Sequence, residues 1–184
     1  MSGREYHLRP RVGPQEVLYE NQYQQVYKVR LDFEDFAKEI FVTHYGDRVG
    51  VVVEGSDGIL LTRQYRYLID RISWEIPGGK VDPGEDSEAA ELRECLEESG
   101  IVCLELRPLL AYQVGLDTVC NPTQLYYAQR FKDCGFTEGP HDNEVCGRAW
   151  VPLHECISMI SGGAIVDGFS IIALLSYKTF IKRY

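Results

Sequence analysis

Hydrophobic and polar positions follow two periods along this chain, and the changes of period mark its elements. From residue 23 to 32 they alternate, with Tyr23, Tyr27, Val29 and Leu31 on one side and Gln24, Lys28, Arg30 and Asp32 on the other. That pattern predicts a half-buried strand. Strands are also expected over residues 38–44, 48–54 and 59–65, separated by Tyr45-Gly46-Asp47 and Ser56-Asp57-Gly58, residues that favour turns. Strand signals return at 108–114, 124–131 and 148–151. A helical period takes over in three places. The first helix is expected over 87–99, with Asp86 or Ser87 as cap and Gly100 as stop. A short one spans 152–160 and ends before Gly162-Gly163. The third spans 168–182 behind Asp167, and Ile171, Ile172, Leu174, Leu175 and Ile181 mark its core side. Strands, a helix, then strands and helices again give a mixed sheet packed between helices, an α/β fold. Residues 1–45 read as an antiparallel strand extension and 46–184 as the main domain. The extension is rich in aromatics (Tyr6, Tyr19, Tyr23, Tyr27, Phe33, Phe36, Phe41) that need burial, and a partner subunit is one place for it.

Composition narrows the class. The chain has 184 residues, is 45% hydrophobic and 26% charged, and carries a formal charge of −9. This is the profile of a globular protein that buries a core without disulfides. The acidity and the lack of a basic stripe argue against a nucleic-acid partner. No apolar run is long enough to span a bilayer, and the first ten residues lack the apolar core of a signal peptide. The six cysteines form no CxxC pair and the four histidines do not cluster, which argues against zinc. They read as reduced thiols of a cytoplasmic protein.

The charge is concentrated. Residues 79–101 hold eight acids (Asp82, Glu85, Asp86, Glu88, Glu91, Glu94, Glu97, Glu98) and two bases (Lys80, Arg93), a net of −6 that leaves −3 for the rest. Glu91, Glu94, Glu97 and Glu98 share a helix face, and each like-charge neighbour pair costs roughly 0.2–0.5 kcal/mol when exposed. They also crowd the C-terminal half, where the helix dipole disfavours anions. A hard cation, Mg²⁺ or Mn²⁺, offsets both penalties. The preceding Gly78-Gly79 pair permits backbone that brings a carbonyl to the same ion, and Arg93 can orient a glutamate.

The segment matches the Nudix box, G-x5-E-x7-R-E-U-x-E-E-x-G-U, through Gly79, Glu85, Arg93-Glu94, Cys95 at the first apolar position, Glu97-Glu98, Gly100 and Ile101. Seven fixed residues at those spacings arise by chance on the order of 10⁻⁸ per starting position. Residues 63–67 and 74–79, Glu144, and Trp150-Val151-Pro152-Leu153 extend the likeness, and the chain resembles the ADP-ribose pyrophosphatase branch of the Nudix hydrolases over about residues 17–180. The resemblance implies an α/β/α sandwich around a mixed sheet. It also implies Mg²⁺-dependent hydrolysis (Mn²⁺ as substitute) of ADP-ribose or a related nucleoside diphosphate sugar. Carried over residue by residue, Glu94 and Glu98 are the principal metal ligands, with Glu97 assisting and the Gly78 carbonyl as a further ligand. Glu85 and Arg93 form a supporting ion pair, and Gly79 and Gly100 shape the box. Arg66 binds substrate phosphate and Glu75 lines the site. Tyr23, in a segment resembling the branch's dimerisation element, is placed to stack on the base. The general base falls in the loop 137–144, where Glu144 aligns best and Glu138 and Asp142 are rivals; His141 reads as a surface residue. A proline usual in this branch beyond the box glycine is replaced by Gly115-Leu116, and the next proline is Pro122. That widens the expected substrates to other nucleotide sugars or dinucleotides such as NADH, GDP-mannose and UDP-glucose. A non-catalytic ligand sensor is the alternative from another class, and the intact box counts against it.

Overall fold

The computed structural model describes residues 9–136 and 145–182. Its strands run in order β1 Arg11–Glu20, β2 Gln25–Asp32, β3 Ala37–His44, β4 Arg48–Gly55, β5 Gly58–Arg66, β6 Arg71–Glu75, β7 Ile101–Cys103, β8 Arg107–Gln113, β9 Val119–Cys120, β10 Pro122–Ala128, β11 Phe131–Asp133 and β12 Val145–Val151. The helices are α1 Ser87–Ser99, α2 Leu153–Ser161 and α3 Gly168–Ser176, the last continued by a wider π turn over Tyr177–Ile181. The chain forms two units, residues 1–46 with 113–122, and residues 47–112 with 123–184.

The first unit is an antiparallel β1-β2-β3 meander, with β9 added parallel to β3. The strand expected from residue 23 begins at Gln25 instead. The Asn21 side-chain oxygen accepts from the amides of Tyr23 (2.8 Å) and Gln24 (2.9 Å), which keeps Tyr23 in the turn, 68% exposed.

The second unit is built on a mixed sheet in the order β12-β5-β4-β10-β8. β10 runs parallel to β4, and the β4–β5 and β5–β12 pairs are antiparallel. On the edge of β5 opposite β12, β4 pairs only near Ile59 and β6 takes over from Thr62. β4 and β6 therefore diverge, and the stretch 77–81 fills the free edge of β4: the amides of Val49 and Val51 donate to the carbonyls of Gly79 (3.0 Å) and Pro77 (3.1 Å), and the Val81 amide donates to Asp47 (3.0 Å). Gly78 and Gly79 let the chain follow this edge.

Alternation along β4 and β5 splits the core between the two sheet faces. Val49, Val51, Val53 and Leu60 pack with Ala90 and Cys95 of α1, while Val52, Ile59 and Leu61 pack with Cys156 of α2 and Phe169, Ala173 and Leu174 of α3. A strand buried on both faces reads as a continuous apolar run, as Val51-Val52-Val53 does. The result is the α/β/α sandwich expected from the sequence. All six cysteines are free thiols, and the sulfurs of Cys95 and Cys103 lie 3.7 Å apart. Among the described residues no helix is long and apolar enough to cross a membrane.

Candidate active site

α1 carries the acids, and its ends are fixed locally. Asp86 caps it by accepting from the amides of Glu88 (3.0 Å) and Ala89 (2.9 Å). Gly100, with φ of 69°, closes it with an amide bond to the Leu96 carbonyl at 2.8 Å. Between them Arg93 is a hub. Its guanidinium donates to both oxygens of Glu85 (3.1 and 2.9 Å), to Glu94 (2.7 Å), to Glu97 (3.4 Å) and to the Lys80 carbonyl (3.1 Å). The hydrogen bond from Arg93 holds the Glu85 carboxyl below its ordinary pKa. The same hub ties the loop, through Lys80, to the helix.

In three other glutamates burial outweighs whatever donors they have. Burial pushes Glu98 up to about 7, opposed by the Gly78 amide, which donates to it at 3.0 Å, and by Arg66; the charges of Glu94 and Glu75 push the same way as burial. Glu94 is also raised, by burial first and against the pull of Arg93. Glu91 is fully buried, neither of its oxygens has a hydrogen-bond partner, and burial raises it well above its ordinary value.

The loop is fitted to these acids. Gly78 has φ of 151°, and a Cβ there would stand 2.4 Å from the Val49 carbonyl and 2.6 Å from the Gly50 Cα. A Cβ on Gly79 would stand 2.4 Å from the Glu94 carboxylate. Because the carbonyls of Pro77 and Gly79 point at β4, the intervening Gly78 carbonyl is left out of that ladder. The N-terminal turn of α3 supports the loop from behind: Ser170 Oγ accepts from the Ile76 amide at 3.1 Å, and the Phe169 ring fills the space over Gly50 and Gly78.

Arg66 at the end of β5 makes a two-point ion pair with the buried Glu75 of β6, at 2.8 and 2.5 Å. The pair borders a cavity of about 780 Å³, lined also by Arg48, Ser73, Tyr67 and Asp167. The charges of both Arg66 and Glu75 act on Glu98, which connects this cavity to the acidic helix.

The structure thus brings Gly78, Gly79, Glu85, Arg93, Glu94, Glu97, Glu98, Arg66, Glu75 and Gly100 into one unit. Among the described residues no three acid, thiol or imidazole groups converge on a single metal position. Arg93 draws Glu94 and Glu97 to itself while Glu98 turns to the Gly78 amide. A buried carboxylate with one donor, an uncommitted carbonyl and glycines that leave room for an acid fit a hard divalent cation in chemistry. Tyr23 belongs to the other unit. Glu144, its rivals Glu138 and Asp142, and His141 lie outside the described residues. Sequence reasoning missed Arg48, Ser73, Phe169 and Ser170. Only Asp167-x-x-Ser170, a capping pattern, left a local signal for any of them.

Known proteins resemble this chain in sequence and in fold. The sequence profile described as NUDIX domain matches residues 44–165. The CMP-5'-(N-acetyl-N-hydroxy-3-aminopropyl)phosphonate hydrolase of Streptomyces rubellomurinus (strain ATCC 31215) is 33% identical over 137 residues, covering 74% of this chain and 65%, just under two thirds, of that protein. The ADP-ribose pyrophosphatase of Bacillus subtilis (strain 168) is 33% identical over 138 residues, 75% of each chain. A crystal structure of an ADP compounds hydrolase superposes with a TM-score of 0.79 over 95% of both chains at 18% identity, and so shares the fold.

Proposed function

The chain belongs to the NUDIX domain family of hydrolases, and from that premise we propose that it hydrolyses the diphosphate bond of ADP-ribose or a related nucleoside diphosphate sugar, with Mg²⁺, giving a nucleoside monophosphate and a sugar phosphate. The observation that carries this is Glu98: a mostly buried carboxylate, held at 3.0 Å by the Gly78 amide and raised to about 7, beside Glu94 and within reach of the Arg66–Glu75 charges. Such a group is poised to release its proton and take a cation. Glu94, Glu98, the Gly78 carbonyl and, in support, Glu97 would hold the ion. When bound, Mg²⁺ supplies neutralisation of the diphosphate and acidifies water.

The chain's own residues do the positioning. Arg93 fixes Glu85, Glu94 and Glu97 as one rigid group and anchors the loop through the Lys80 carbonyl. Arg66, oriented by the two hydrogen bonds it donates to the buried Glu75, presents its guanidinium at the cavity to a substrate phosphate. Glu144 takes the proton of the attacking water. Tyr23 stacks on the base, and the chain works as a homodimer through its N-terminal strands.

The relative named as an ADP-ribose pyrophosphatase supports the substrate class, and the one named as a CMP-phosphonate hydrolase adds cytidine derivatives to the compounds worth testing. The test is a hydrolysis panel of ADP-ribose, UDP-glucose, GDP-mannose, NADH and CMP derivatives with Mg²⁺ or Mn²⁺, following release of the nucleoside monophosphate. Glu98→Gln should lower kcat on the order of a hundredfold with folding intact. Wild-type turnover in that variant, or binding of ADP-ribose without hydrolysis in Mg²⁺, overturns the assignment.

A further inference from the structure

Arg48 opens β4, and its guanidinium carbon lies 3.9 Å from the centre of the Phe169 ring. Stacking on an aromatic face holds a guanidinium in place without consuming its N–H donors. Among the described residues those donors find no hydrogen bond and no ion pair. Arg66, the other cation of the same cavity, is already neutralised by Glu75. Asp167, the nearby acid of the wall, is engaged through Oδ2 by the amide and hydroxyl of Ser170, at 2.9 and 2.8 Å.

A second group in the wall is equally unsatisfied. Ser73 is 1% exposed and its hydroxyl has no hydrogen-bond partner. Leaving a buried hydroxyl unpaired costs about 1–3 kcal/mol, which a ligand oxygen would recover. One uncompensated guanidinium and one buried donor in a single cavity call for an anionic, oxygen-rich ligand.

We propose that Arg48 is a phosphate-binding side chain of this cavity, acting without metal, with Ser73 Oγ as a second donor to the same bound group. The identity of the natural ligand, a phosphoryl group of a nucleoside diphosphate derivative, rests on the proposed function; the anion site itself does not. Arg48 supplies a fixed positive charge for the substrate independently of the acidic helix, which attracts an anion only through its cation.

Calorimetric titration of the protein with inorganic pyrophosphate in EDTA tests this directly. Wild type should bind, Arg48→Met should weaken binding by at least about tenfold, and Ser73→Ala by about threefold. Arg48→Lys, which keeps the charge and loses the fork, should fall between wild type and Met. With Mg²⁺ and whichever nucleotide is turned over, Arg48→Met should raise KM by at least about tenfold and move kcat by less than about threefold. Thermal melts confirm that each variant folds. Absence of pyrophosphate binding by wild type, or equal binding by Arg48→Met, overturns the proposal. If no nucleotide of the panel is hydrolysed the catalytic reading fails, and the pyrophosphate titration still decides the role of Arg48.

Discussion

Glu91 and Glu98 stand two turns apart on one helix and carry the same burden differently. Glu98 has a backbone donor, the Gly78 amide, and a proposed role as metal ligand, whereas Glu91 has no hydrogen-bond partner. In both, burial raises the native pKa above that of the unfolded chain. The native state then binds more protons wherever the unfolded carboxylate has ionised and the folded one has not. For Glu98 that window runs from about 4.5 to about 7, so metal-free stability falls with rising pH across it, by up to about 1.4 kcal/mol per unit from this group, and levels above it. Acids with depressed values, such as Glu85 and Asp133, add a slope of opposite sign near the lower end of that window, and above about pH 5.5 they are ionised in both states and add little. Urea melts in EDTA between pH 5 and 7.5 should show this decline, and Glu98→Gln should make it shallower. A flat profile in wild type would contradict the buried carboxylate. Mg²⁺ affinity should climb with pH up to about 7 and then plateau, because the ion competes with that proton. Glu91→Met replaces an unpaired buried carboxyl with an apolar chain of similar length. It should raise stability at pH 7.5 by about 1–3 kcal/mol and by less at pH 5, as the two melts compared will report.

At the scale of elements, the decisive piece is the loop lying on the edge of β4, whose two glycines should respond differently to a methyl group. Gly78→Ala sets its Cβ against the Val49 carbonyl and the Gly50 Cα, both backbone, at a φ that side chains avoid. It should cost about 3 kcal/mol or more, seen as a large drop in melting temperature. Where Gly78→Ala meets backbone, Gly79→Ala first meets the Glu94 carboxylate, a side-chain end that can give way by loosening its bond to Arg93. Its melting temperature should change little while Mg²⁺ affinity and kcat fall; equal destabilisation of the two variants would refute this division of labour. The same contrast between local and distant causes explains what was legible in the sequence. α1 was readable to the residue because its period, its Asp86 cap and its Gly100 stop are all local. The β4 and β5 runs were readable because both of their faces, or alternate residues, are apolar. β6 was not, since it is short and its Ser73 and Glu75 are polar yet buried, a state that only the pairing with Arg66 makes tolerable for Glu75. β1 was hidden by the Gly13-Pro14 irregularity between Val12 and Gln15 and by its exposure along nearly its whole length. Arg48 and Ser170 reach the site through tertiary packing on Phe169 and Ile76, which no spacing in the chain encodes.

At the scale of the whole molecule, two surface features point to partners, the acidic segment of the second unit and the exposed apolar side chains of the first. The net charge of −6 in residues 79–101 gives one region of the second unit the charge that the proposed cation site requires. The first unit exposes apolar side chains among its charged ones. Val12, Val17, Leu18, Tyr19 and Phe41, in a sheet of four strands, and Phe36, in the turn before β3, are between 48% and 64% exposed. Single exposed hydrophobes are ordinary, but a cluster of them on one small sheet marks an interaction surface. β1 is also an edge strand, with one side of its backbone ladder open to pairing. Exposed apolar side chains and an open edge in the same unit would be satisfied together by a second copy, in the homodimer proposed above. Light scattering at micromolar concentration should therefore return twice the 21.0 kDa of one chain. The double variant Tyr19→Asp, Phe41→Asp places charge into that surface and should shift the mass to that of one chain, while the second unit, with its own core, keeps its fold and its Mg²⁺ affinity. If the dimer also delivers Tyr23 to a bound base, the variant's KM for nucleotide should rise with kcat nearly unchanged. A single-chain mass for wild type would remove the dimer and leave that tyrosine to its own unit.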